Sequence, residues 1–293
     1  MKKTILFFAA LAAIFMFSCS GNENKETDAD DMQVIDDLSA SSDELTVYSI
    51  PSPILVAQAM KMYEVDFNKE AIEPTGKSSD EFISIHSKAM NLGVSIVDLG
   101  YTSAFGQTQL SINYMQRIDN LLTELNIQNR ESIFAMERFR ENLANPDSID
   151  KLIIEFQNKL DKYYVDEQAD DVALLMVFGI YVEGLYLVLD SYNEIIDRKV
   201  TGGMTVSEGF KNLLMQQGIY ADNIGTLLEP YKKEESKTIF EYIEKIKDQF
   251  RALDITYDID DKTKKIRNIN YKRDEIPNLK SLIKEVREYI ITA

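Results

Sequence analysis

The chain has 293 residues, 45% of them hydrophobic, with 49 acidic against 32 basic side chains and a net charge of −17. That balance argues against nucleic acid or an anionic lipid surface as a partner, since both demand a basic face, and no stripe of Lys and Arg interrupts the acidic background. A single cysteine and a single histidine exclude an internal disulfide, a multi-thiolate metal site and a pair of histidines on zinc.

Residues 1–18 read as a bacterial export signal. Lys2 and Lys3 precede an apolar run from Ile5 to Phe17, shorter than the roughly 20 residues that span a bilayer as a helix. Small Ser18 stands before Cys19, as lipoprotein signal peptidase requires, although Met16 and Phe17 replace the commoner Leu and small residue upstream. Cys19 is therefore the expected lipidation site, and more than one acyl chain on it gives a lasting anchor. Residues 19–46 are acidic and polar with few large apolar groups, which predicts a disordered tether that anionic head groups repel. The "DADD" at 28–31 reads as part of that solvated linker.

Residues 47–293 are expected to form one mainly α domain, a bundle of antiparallel helical hairpins. "YSIPSPILVAQAMKMY" (48–63) enters with two prolines and turns helical. Ser78 with Glu81 and Thr205 with Glu208 have capping-box spacing, and Asn145-Pro146 places a cap before a proline suited to a first helical turn. Three apolar faces recur at spacings of three and four: Tyr114, Ile118, Leu121, Leu122 and Leu125; Ile239, Ile243, Ile246, Phe250 and Leu253; and Leu279, Leu282, Ile283, Val286 and Ile290. Only 254–272 alternates at period two, which predicts a short β-hairpin.

Two predicted helices, 82–109 and 170–195, are apolar over most of their circumference and should be central. Ala89, Gly93, Gly100 and Ala104 lie close to one side of the first; Gly179 and Gly184 interrupt the second. Glycine costs about 1 kcal/mol against alanine within a helix, so close backbone approach of the two helices is the expected compensation. Each also carries a carboxylate among apolar neighbours, Asp98 and Glu183. A buried charge must be paired, hydrogen-bonded or protonated. Either the two acids converge to bind a cation or a basic ligand group, or tyrosine hydroxyls, Gln107 or Arg117 satisfy them structurally.

Other motifs fail on inspection. "GKSS" at 76–79 ends like a phosphate loop, but Ala71 occupies the first glycine position and no strand precedes it. "DIDDKTKKIRNI" at 258–269 begins like a calcium loop, yet Thr263 and Ile269 stand where glycine and the bidentate glutamate belong. His86, on an apolar helix, reads as packed or capping. No catalytic constellation emerges, and no cofactor or metal is implied.

"YSIPSPILVAQAMK", "SKAMNLGVSIVDLGYTSAFGQTQ", "RFRENLANPDSI" and "VFGIYVEGLYLV" together resemble a family of Bacteroidota lipoproteins of unknown function, over residues 48–195 above all. Pro51, Pro53, Asn91, Gly93, Asp98, Gly100, Tyr101, Gly179, Glu183 and Tyr186 match; Ile180, Tyr181 and Gly184 depart where the family has glycine, tryptophan and serine. The resemblance implies a helical protein of the cell envelope and carries no activity. The leading expectation is a non-enzymatic lipoprotein held by its N-terminal lipid to the membrane, in the outer membrane above all, with an envelope protein as partner. The alternative is a ligand-binding lipoprotein with a pocket between 82–109 and 170–195.

Overall fold

A computed structural model describes residues 54–72, 82–166, 170–196, 206–231, 236–259 and 266–292, all within the unit Tyr48–Ala293. Cys19, the tether, the pair Ser78 and Glu81, Thr205 and the "GKSS" stretch lie outside the described residues. The chain runs through α1 (Leu55–Met62), α2 (Lys69–Ile72), α3 (Ile85–Ala104), α4 (Thr108–Glu124), α5 (Arg130–Ile133), α6 (Met136–Asn142), α7 (Pro146–Asp166) and α8 (Asp170–Ile195). It continues with α9 (Val206–Leu228), α10 (Lys237–Ala252), β1 (Thr256–Ile259), β2 (Ile266–Asn270) and α11 (Ile276–Thr292). The fold is mainly α, with one antiparallel hairpin in which Tyr257 faces Ile269.

Helix α3 starts where the Ser84 hydroxyl accepts from the backbone N–H of Ser87 at 3.0 Å. It ends at Ala104, five residues before the end the apolar pattern suggests, and it begins three residues after the expected start. The reason for the early stop is Gly106, at φ +67°. In that left-handed conformation its N–H bonds the Ser103 carbonyl, and the next N–H reaches Thr102. Periodicity cannot register this break, because Phe105 is apolar and the pattern runs on into α4. Helix α4 then folds back along α3, bringing Lys88 near the start of one to Glu124 at the end of the other, 3.1 Å apart. At the head of α7, the Asn145 side chain accepts from Ser148 N–H at 3.2 Å, with Pro146 as the first helical residue.

Helices α3 and α8 form the centre. Leu92, Ile96 and Leu99 of the first and Phe178, Val182 and Leu185 of the second have no measurable exposure. Their glycines explain how they pack. A Cβ built on Gly93 would fall on the Met176 carbonyl oxygen and 2.8 Å from Ile180 N; one on Gly179 would fall on the Met90 carbonyl. Each helix backbone thus rests in the gap the other's missing side chain leaves, and the dispersion contacts so gained offset the entropic cost of glycine. Gly184 does not share in this crossing: a Cβ there would meet Val56 of α1, at 3.3 Å.

The segment Val172–Ile195 is long and apolar enough to cross a membrane, but 83% of its most apolar 18-residue stretch is buried within the fold. Its hydrophobicity matches a helix enclosed by protein on all sides. Helices α9 and α11 pack on α8, and α10 lies against both. The hairpin is tied to α8 through the Tyr192 and Tyr271 hydroxyls, 2.6 Å apart.

Candidate functional site: a buried acid pair closed by an arginine

One turn and a half beyond Gly93 lies Asp98; one turn beyond Gly179 lies Glu183. The glycine crossing that brings the backbones together therefore brings these carboxyls together. Asp98 is 2% exposed and Glu183 0%, and their side chains are hydrogen-bonded to one another. Two ionised carboxylates cannot share such a contact in a low-dielectric core. Asp98 Oδ1 and Glu183 Oε1 are both buried without a donor from the rest of the protein, which favours a proton held between the two carboxyls.

The second stabilising element comes from the last helix. Arg287 Nε donates to Glu183 Oε2 at 2.7 Å, and the guanidinium lies 4.4 Å from the centroid of the Tyr186 ring. Burial pushes the Asp98 carboxyl well above the ordinary carboxylate range, helped by the negative charge of Glu183 and opposed by Arg287. Burial works to lower Arg287, but the charges of Glu183 and Asp98 outweigh it and raise the guanidinium further. The arrangement sets Glu183 against Arg287 and favours the protonated form of Asp98 beside them, which lessens the buried charge.

Tyr114 of α4 closes the same site from the other side. Its hydroxyl donates to the Ile72 carbonyl and also lies within hydrogen-bonding reach of Asp98; burial first, then the charge of Asp98, raises its ionisation far above the ordinary phenol value. Arg117, one turn on, donates from Nε to Ser95 Oγ at 3.2 Å and through a second nitrogen to Asn91 Oδ1 at 3.3 Å. Asn91 in turn donates to the Ser87 carbonyl at 2.9 Å and to the Ile290 carbonyl at 2.7 Å. It satisfies a carbonyl near the end of α11 that has no partner within its own helix.

Asp98 and Glu183 thus converge, as one of the two sequence expectations requires. Of the expected partners, a tyrosine hydroxyl is present, that of Tyr114 beside Asp98. Gln107 turns away and donates to the Phe105 carbonyl, Arg117 hydrogen-bonds Ser95 and Asn91 and is also acted on by the charge of Asp98, and the cation on Glu183 is Arg287. Its signal was present in the sequence: it sits directly beside the apolar stripe of α11, next to Val286 and three residues before Ile290. A charged residue at the margin of a buried face is a candidate partner for a buried opposite charge. His86 is half-buried in the first turn of α3.

A cavity adjoins Asp98, lined by Ile72, Val94, Tyr114, Arg117, Arg287 and Ile291, with about 10 Å³ open to a water-sized sphere. That is room for about one water molecule. It lies between α2, α3, α4 and α11. Among the described residues there is no group of three or more His, Cys, Asp or Glu placed to hold a metal ion. No protein-family model, no curated protein and no solved structure matches this chain.

Proposed function

We propose that the protein is a lipoprotein of the bacterial envelope, anchored through acylated Cys19, in the outer membrane above all, and that its helical domain acts as a non-enzymatic interaction or accessory subunit of an envelope assembly. The observation that supports this reading is how the domain uses its buried ionisable groups. Asp98, Glu183 and Arg287 neutralise one another inside a closed helix crossing, which is the work of a scaffold. The resemblance of residues 48–195 to envelope lipoproteins points the same way.

The test is crosslinking in native cells followed by affinity purification, with Cys19→Ala as the unanchored control. An envelope protein recovered with the intact chain and lost with the control is the expected result. A chain that is recovered by itself at native abundance would sink the accessory-subunit reading.

A further inference from the structure

A second carboxylate is buried away from the helix crossing, at the junction of α1 with the start of α7. Asp150 is 9% exposed. Its Oδ2 accepts from Gln58 Nε2 at 2.7 Å, which fixes the orientation of the carboxylate, while its Oδ1 has no hydrogen-bond donor. Asp150 lines a half-open groove of about 290 Å³, together with Asp147, Gln58, Lys61, Met62 and Ala104. A buried carboxylate oxygen without a donor costs free energy unless something supplies one, and here the residue that carries it lines a groove that opens to solvent.

The lining defines the occupant. Asp147 and Asp150 carry two negative charges against one positive charge on Lys61, so a single cation balances the groove. Burial raises the Asp150 carboxyl, and Lys61 offsets this less than Gln58 does. Asp147, in the first turn of α7, also complements the helix dipole, but that role leaves Asp150 Oδ1 unexplained. On the outward side of α1, Leu55 is 52% and Met62 59% exposed, so apolar surface flanks the acidic notch. The volume lies at the lower edge of the roughly 300–1,000 Å³ typical of small-molecule pockets and suits one long side chain. A guanidinium or ammonium group matches the two acids, and its alkyl stem matches Met62 and Ala104.

We propose that this groove receives an Arg or Lys side chain of a basic segment of the envelope partner, with Asp150 and Asp147 as its anionic contacts. The proposal rests on the accessory-subunit reading above, and it suits a chain whose net charge is −17.

Methyl NMR of the full-length chain in detergent, carrying 13C-methyl methionine, tests the groove directly, with Met62 as reporter. Acetyl-arginine amide or acetyl-lysine amide should shift the Met62 methyl saturably, and acetyl-citrulline amide, which lacks the charge, should not. Asp150→Asn and Asp147→Asn should each weaken the response at least fivefold while the helical circular dichroism is retained. No saturable shift with either charged probe overturns the proposal, as does a shift with calcium chloride only, or one that survives both substitutions. In cells, partner capture that falls in Asp150→Asn supports the groove as the contact. Capture unchanged by Asp150→Asn but abolished by Cys19→Ala overturns the groove and leaves the accessory reading standing.

Discussion

Two buried carboxylate sites in this domain are resolved in opposite ways. At the crossing of α3 and α8, Asp98 and Glu183 are sealed in, and the fold supplies Arg287 and favours the protonated form of Asp98. At the edge, Asp150 is less deeply buried and lines an open groove, and the fold supplies one donor, Gln58, and leaves the other oxygen without one. The difference teaches where compensation must be internal. A charge in a closed core has no other source of stabilisation, whereas one at a groove can be completed by a partner.

The largest effect should come from breaking the closed site. Arg287→Met leaves Glu183 buried without its cation, and should cost about 3–5 kcal/mol in urea denaturation. The double variant Glu183→Gln with Arg287→Met should recover much of that loss, because neither charge is then stranded. If the double variant is as unstable as the single one, the pair is not the source of the effect. Next comes the crossing itself. Gly93→Ala or Gly179→Ala sets a methyl on the opposing backbone, for a loss of about 1–3 kcal/mol or more. An unchanged denaturation midpoint would contradict the close approach.

Asp98→Asn should be mild, within about 1 kcal/mol, since burial already favours the uncharged form of the native side chain. Its signature is in the pH dependence. The folded Asp98 carboxyl ionises well above its unfolded value, so between the unfolded pKa, about 3.9, and the raised folded one the native state holds a proton that the unfolded chain releases. Stability from this group is present at low pH and lost as pH rises through that window. Asp98→Asn should flatten this fall in urea midpoints measured from about pH 4 to 8; an unaltered slope would place the proton elsewhere. The smallest effect is expected at the edge: Asp150→Asn keeps an acceptor for Gln58 and should shift stability by no more than about 0.5 kcal/mol. A large loss there would make Asp150 a second structural acid and erase the contrast.

Much of this architecture was legible in the residues. The apolar faces of α4, α10 and α11 are buried almost as their spacing predicts, with only Leu125 and Leu282 among those residues half-exposed. Residues 170–195 form one helix with the expected bounds, and the period-two stretch is a hairpin. The cost of glycine in a helix rightly anticipated a backbone contact, but it could not choose among Gly93, Gly100, Gly179 and Gly184, because all four have the same local chemistry. Nor could it show the end of α3 at Ala104, where one residue's positive φ overrides an apolar pattern that continues unbroken.

By itself the sequence determined the acidic balance and the helical periodicity, since charge, composition and spacing are properties of the chain as written. It also showed that Asp98 and Glu183 sit among apolar neighbours. Only the tertiary structure decided that they meet, that Arg287, 104 residues beyond Glu183, closes them, and that Asp150 faces a groove with one oxygen left over. Pairing across such distances depends on how helices cross, and crossing is fixed by the packing of whole surfaces and not by any local run of residues.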